Sequence, residues 1–323
     1  MAKKFNNAKL LIALVAVIFI FFIVRAITNR HEKSFKANLS EDIDSTKITA
    51  IIMYPTSEKR EEIKLVKNGI TWNVIKKNLT FEAEQATVDN LVKELVNLKT
   101  QQVVSNNKDK WKEYMVTDST GTRVKVFEGS DVKLDIVVGK FNYQKSNNPY
   151  AQYGGGINGS TCVRLFKDRE VYTVKGFLSF MFNQPFNNWR NQKFIKATKT
   201  DITKITASYP GDSGFIAEKK GSEWMISGIE ADSLKMDRYL SALSWSNKSS
   251  FVDDYIPSGN PEFKLNIEGN NLTSMTIEAY KKSDTEYILH SSLNPKTYFS
   301  SNNKALSDIF KRRMDLIKTE TKK

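Results

Sequence analysis

Four groups of residues have side chains of the kind that chemistry requires. Gly211-Asp212-Ser213-Gly214 has the form of a serine-nucleophile turn, and that chemistry needs a histidine base held by an acid. The chain has two histidines. His31 lies in a polar stretch near the N-terminus and His290 follows the serine, so the segment reads as a turn between two strands. Gly154-Gly155-Gly156-Ile157-Asn158-Gly159 satisfies G-x-G-x-x-G, yet a dinucleotide cradle must follow a strand and open a helix. Here it follows an Asn-rich loop and leads into an extended run, Thr161 to Phe166. The paired acids Glu61-Glu62 and Asp253-Asp254 sit on extended segments, where neighbours point to opposite faces and do not converge on one bond. They read as solvated surface. Cys162 is the single cysteine; it makes no internal disulfide and reads as a small buried residue on a strand. With no metal-ligating set and no cofactor fingerprint, the expectation is a protein that is not an enzyme and takes no cofactor or metal.

Composition narrows the partners. The 323 residues carry a net charge of +13, and 40% are hydrophobic, enough for globular cores. The lysines are spread along the whole chain, which favours solubility or attraction to an anionic surface over nucleic-acid recognition. No RNA-binding signature or zinc-finger spacing is present, and no nucleic-acid partner is expected. At the N-terminus an uncharged apolar run, Leu10 to Val24, follows Lys3, Lys4 and Lys9. As a helix it is ~22 Å long against a hydrocarbon core of ~30 Å, and Ala26 with Ile27 extends it if Arg25 snorkels. A cleaved signal peptide is the rival reading, but Arg25 makes a poor cleavage site. The run is read as a transmembrane signal-anchor of the inner membrane, with the body facing the periplasm.

The rest of the chain repeats itself. Lys47-Ile48-Thr49-Ala50 returns as Lys204-Ile205-Thr206-Ala207, and Gly69…Trp72 returns as Gly221…Trp224. The apolar set Val88, Leu91, Val92, Leu95 returns with the same spacing as Met236, Tyr239, Leu240, Leu243. Such a duplication predicts two related modules. Each begins with a strand and a hairpin closed at the repeated glycine, followed by a one-sided helix, Glu84 to Lys99 or Leu234 to Leu243, the latter capped by Asp232. Val103-Val104 matches Phe251-Val252, and Tyr114 matches Tyr255. Val124 to Gly129 matches Phe263 to Gly269, and Tyr172 matches Tyr298. Leu178 with Phe182, on the short helix Phe177 to Phe182 packed against the sheet, matches Leu306 with Phe310. The expected organisation is an anchor over residues 1–27, a polar tether over 28–46, modules over 47–196 and 197–318, and a basic tail over 319–323. The fold class is α+β: an N-terminal transmembrane helix, then two tandem homologous modules of antiparallel sheet with packed helices.

The copies differ most over residues 142–160, a Tyr/Asn/Gly-rich insertion that the second largely lacks. Loops carry function disproportionately. Tyr143, Tyr150 and Tyr153 with Gly154, Gly155 and Gly156 are therefore the candidate interaction loop.

The hairpin Asn68-Gly69…Trp72, the helix Val88 to Leu98 and Val138-Gly139 resemble the bacterial domain of unknown function 4340 family. Val163-Arg164-Leu165, Val171-Tyr172-Thr173-Val174 and Trp189-Arg190-Asn191-Gln192-Lys193 resemble it as well, over about residues 48–280. The resemblance implies a membrane-anchored, envelope-facing protein associated with gliding-type ABC transporters, and it brings no catalytic residues. The composition and the sites at Asp44, Asp118 and Asp232 are similar to those of Bacteroidota. The expected function is an extracytoplasmic, non-enzymatic accessory or interaction protein of an envelope complex, with ABC transporter subunits as partners. The alternative is an envelope hydrolase acting on glycan or peptide, with carboxylates in a cleft between modules.

Overall fold

The structure, a computed structural model, describes residues 17–22, 36–144, 158–211 and 214–318. By contact the chain divides into two compact units, residues 1–67 with 89–184 and residues 68–88 with 185–323. These do not follow the repeat: 68–88 and 185–196 cluster with the second module rather than the first.

Residues 17–22 are helical (α1) and exposed. No helix among the described residues is long and apolar enough to cross a membrane. Most of the apolar run at 10–24 lies outside the described residues.

Alternating burial along β1 (Ile48–Tyr54) places Ile51 and Met53 on one face, the period-two pattern of a half-buried strand. Across the tight turn at Gly69, where φ is +63°, β2 (Ile63–Asn68) is followed by β3 (Thr71–Lys76) and β4 (Leu79–Glu82). Helix α2 (Gln85–Leu95) buries Val88, Leu91 and Leu95 as the stripe requires, and it ends one turn before the expected Lys99. Then come β5 (Thr100–Ser105), β6 (Thr122–Glu128), β7 (Asp131–Gln144), β8 (Asn158–Leu165), β9 (Val171–Lys175) and the short helix α3 (Leu178–Phe182). In the first unit the strands pair antiparallel in the order β2-β1-β6-β7-β8-β9-β5.

The second unit adds β10 (Lys193–Ile195), β11 (Ile202–Ser208), β12 (Phe215–Lys220), β13 (Glu223–Ile226), β14 (Ile229–Glu230), α4 (Ser233–Ala242) and β15 (Ser246–Asn247). Strands β16 (Phe263–Gly269), β17 (Met275–Lys281), β18 (Glu286–Ser291) and β19 (Tyr298–Asn302) follow, with helices α5 (Asn303–Ile309) and α6 (Arg313–Leu316). Eight of these strands form one antiparallel sheet, β14-β13-β12-β11-β16-β17-β18-β19, and β10 pairs with β15. Its core joins Ile205, Ile267, Ile277 and Leu289 of the sheet to Met236, Tyr239 and Leu243 of the helical segment. The side chain of Asp232 accepts from the backbone of Leu234 and Lys235 and caps α4 as expected.

Pair by pair the copies agree. Ile51 lies between Leu65 and Val126 as Ile205 lies between Ala217 and Ile267. A register shift falls at the same place in each, between Ile48 and Ala50 and between Ile202 and Lys204. The pairing also corrects three sequence matches: Ile202, not Ile205, takes the place of Ile48, which moves the Lys-Ile-Thr-Ala match by three residues, and two others move by one. Tyr172 lies opposite Val163 as Phe299, not Tyr298, lies opposite Leu289. Glu128, not Gly129, corresponds to Gly269, because these are the residues opposite Ile48 and Ile202. Gly129 makes its turn at φ +61°, whereas in the second copy a positive φ of 54° falls to Asn271. Gly269 is required by close approach instead, since a Cβ there would overlap the carbonyl oxygen of Asp201.

Gly269→Ala is therefore expected to destabilise the second unit by about 1–3 kcal/mol, the usual cost of an overpacked contact. Urea unfolding followed by circular dichroism checks this.

Candidate functional site

The repeat breaks at the top of β7 and β8. In the second copy β17 and β18 are joined by the short turn at Lys282–Thr285, closed by Ser283 donating to the Glu286 carbonyl. In the first, β7 runs on to Gln144 and β8 resumes at Asn158. Tyr143 stands 59% exposed opposite Gly159. Tyr150, Tyr153, Gly154, Gly155 and Gly156 lie outside the described residues.

Beneath Tyr143 three phenylalanine rings form a cluster. Phe141 stacks on Phe177 with centroids 5.0 Å apart and meets Phe180 edge-on at 5.2 Å. The Phe141 ring lies across Gly159, where a Cβ would overlap it. Gly176, at φ +116°, turns the chain from β9 into α3, with its N–H on the Gly159 carbonyl at 3.0 Å. That turn projects Phe177 and Phe180 outward. The expectation that the whole Phe177–Phe182 helix packs on the sheet is corrected: Leu178 and Phe182 are buried, but Phe177 and Phe180 are 45% and 58% exposed. The signal was in the spacing, since residues i and i+3 share a face that i+1 and i+5 do not. In the second copy the same positions are Ala305 and Asp308.

Several charged side chains are committed to other groups. On β8 of the first unit, Arg164 is buried. Its guanidinium lies 3.8 Å over the Trp111 ring and donates to the carbonyls of Val116 and Phe166 and to Asp118. Burial pushes this guanidinium below its ordinary value, and Asp118 opposes the shift. The equivalent residue is His290, because Arg164 pairs with Val137 and Val171 as His290 pairs with Glu278 and Tyr298. His290 Nδ1 is 3.2 Å from Glu278, Nε2 is 3.3 Å from the Pro295 carbonyl, and its ring stacks on Tyr298. Both ring nitrogens thus face acceptors within the protein, which leaves neither directed at a substrate. Asp212 and Ser213 are outside the described residues. Cys162 is buried on β8 as expected, with burial raising its thiol above the ordinary value.

A cavity of ≈ 240 Å³ in the first unit is lined by Tyr54, Arg60, Asp118, Arg123, Val137 and Phe166. Arg123 is held bidentately by Asp135 at 2.8 and 2.6 Å and covers the Phe166 ring. Arg60 donates to the carbonyls of Asp118 and Gly121. Tyr54 donates to Glu62 at 2.7 Å; burial, and then this carboxylate, raise the phenol to about 12. A larger cavity of ≈ 760 Å³ in the second unit lies among Tyr209, Phe263, Phe310, Arg312 and Arg313.

The motif Trp189-Arg190-Asn191 closes the second unit. Arg190 is fully buried, with its guanidinium between the rings of Phe81 at 3.6 Å and Phe251 at 3.7 Å. Asp253 accepts from it bidentately at 3.0 and 2.8 Å. Asp253 is therefore not simply solvated surface, which corrects the sequence reading of the Asp253-Asp254 pair. Glu62, bonded to Tyr54 and paired with Lys64, departs from that reading too. No sequence signal pointed to the Arg190–Asp253 pair, because its members are far apart in the chain. Among the described residues no cluster of three or more His, Cys, Asp or Glu could hold a metal.

Removing the Asp253 charge would leave a buried guanidinium without its anion, so Asp253→Asn is expected to cost about 3 kcal/mol in chemical denaturation. The Tyr54 phenol titrates higher when folded than when unfolded. Its contribution is therefore complete below about pH 10 and is lost as pH rises through about 12. Tyr54→Phe should flatten the alkaline fall in stability over that window, read as the difference between the two chains' melting temperatures.

No curated protein and no solved structure matches the chain. A family model described as Domain of unknown function (DUF4340) matches residues 72–266, more than half of the chain. That span begins at Trp72 and holds the Arg164 strand and the Arg190 motif, and the chain belongs to the DUF4340 family.

Proposed function

We propose that this chain is a single-pass, membrane-anchored accessory protein of the bacterial inner membrane. Its two modules face the periplasm and work by surface contact within an envelope complex, with ABC transporter subunits of the gliding type as partners. The observation that carries this reading is the commitment of the polar groups that chemistry would use. Arg164, Arg190, Arg123 and His290 each hold a carboxylate, backbone carbonyls or both. What the structure leaves facing outward is surface that differs between two copies of one scaffold.

The apolar run ahead of the folded units supports the anchor, since its length and flanking lysines suit a short membrane helix. Conserving turns, helix stripes and sheet register in both copies maintains a scaffold, and exposed phenylalanines at positions where the other copy has Ala305 and Asp308 are what an asymmetric contact would use.

A tagged full-length chain, purified from gently solubilised membranes, is expected to bring down a membrane protein in stoichiometric amounts. Recovery of the chain alone under several detergents would contradict the reading.

A further inference from the structure

The two copies differ beside their shared tryptophan. In the first, Ala83 donates its N–H to the Trp72 carbonyl at 2.9 Å, and the side chain of Gln85 completes the edge. Its Oε1 accepts from the Trp72 N–H at 2.7 Å, and its Nε2 donates to the carbonyls of Trp72 and Ala83 at 3.1 and 2.7 Å. Trp72 is 5% exposed there. In the second copy Ala231 donates to the Trp224 carbonyl at 2.8 Å, so the Trp224 N–H faces the same side. Ser233 holds the position of Gln85, first in α4 as Gln85 is first in α2. A serine hydroxyl ends well short of where a glutamine amide reaches. Among the described residues no side chain accepts from the Trp224 N–H, and Trp224 is only half-buried.

A cavity lies where the missing side chain would be. Trp224, Ala231 and Ser233, the counterparts of Trp72, Ala83 and Gln85, together line a space of ≈ 270 Å³. Met236 and Leu240 of α4 give it an apolar side that suits methylene groups. Its charged lining sets Lys199 and Lys219 against Glu223, Glu230 and Asp237. Lys199 is paired with Asp237, and Lys318 reaches Glu230. Such a rim offers an anion no excess of positive charge and favours an uncharged polar group. An N–H left without an acceptor beside apolar surface is costly, and a ligand that supplies the acceptor recovers that cost.

We propose that this cavity binds a primary carboxamide, the group a glutamine side chain carries, which takes in the second copy the place that Gln85 fills in the first. The ligand's amide oxygen accepts from the Trp224 N–H, its amide nitrogen donates to the backbone carbonyls beside it, and its methylenes lie along Met236 and Leu240. The first copy holds its own ligand covalently; the second leaves the same edge open to one from outside. The site stands whether or not the chain is anchored in a membrane.

Full-length chain, isotope-labelled at the nitrogens of its five tryptophans, is titrated with N-acetyl-glutamine methylamide and followed by NMR, with Trp224→Phe assigning the signal. The Trp224 backbone amide proton should move downfield to saturation while that of Trp72 stays in place. The glutamate and methionine analogues of the probe should bind at least about 10-fold more weakly, since neither presents both amide groups. Ser233→Gln should move the Trp224 amide downfield without any probe, abolish the response to it, and raise the melting temperature by about 2–4 °C. Ser233→Ala, which leaves the cavity open, should bind as the native chain does. Free glutamine as tight as the capped probe supports the site and assigns it to the amino acid; weaker binding supports it and assigns a glutamine within a chain. No saturable shift below about 20 mM probe, an equal response to the glutamate analogue, or an undiminished response in Ser233→Gln overturns the site and leaves a cavity that only water fills.

Discussion

One buried cation organises the second unit. A guanidinium removed from water is tolerated only where an anion and additional polar or π contacts replace its hydration. Arg190 meets both conditions, with Asp253 in a two-pronged pair and the faces of Phe81 and Phe251 on either side. A lysine could supply the charge but neither the planar fork nor the stacking. Satisfying this one group brings together three stretches distant in sequence: the end of β4, the Trp189 turn and the segment before β16. Its neighbours add to the same staple. Glu84 donates its N–H to the Trp189 carbonyl, Asn191 donates to Glu82, and Asn294 donates to the Asn191 carbonyl. Together these contacts explain why residues 68–88 belong to the second compact unit although the repeat assigns them to the first module.

The duplication shows which of these contacts are scaffold. In the second copy Ala231 bridges Ile317 as Ala83 bridges Arg190, and Asp232 donates to Leu316 as Glu84 donates to Trp189. The return of the chain to the residue before the helix is thus common to both copies. The cation is not, since Ile317 occupies its place. Likewise Arg164 and His290 fill one sheet position with different partners. A fold that keeps its register while exchanging buried charge, imidazole and aliphatic side chains has separated what holds the sheet from what covers it.

Much of that scaffold was legible in the sequence because it rests on short-range signals. The glycines at 69 and 221 adopt the positive φ that their turns demand, the helix stripes are buried, and Asp232 caps. Strand register was less legible. A repeated Glu-Gly pair suggested equivalence between Gly129 and Gly269, but the pairing opposite Ile48 and Ile202 moves the match by one residue. Contacts distant in sequence left no local trace: β5 pairing with β9, and Asp253 reaching Arg190, follow only from the folded topology. The aromatic patch was half visible. Tyr143 marked the insertion, while Phe177 and Phe180 fell within a short helix read as packed against the sheet. Gly176 turns them outward, and the residues of the candidate loop beyond Tyr143 lie outside what the structure describes.

The central claim is that the Arg190 staple, and not membership of the repeat, decides where residues 68–88 belong energetically. Amide hydrogen exchange on the full-length chain tests it, because segments that open together share one protection free energy. Peptides covering 71–88 should exchange with the same opening free energy as peptides from β11, β16 and β18. Exchange of 71–88 in step with β1 and β6 instead, at an opening free energy different from that of the second unit, would contradict the account.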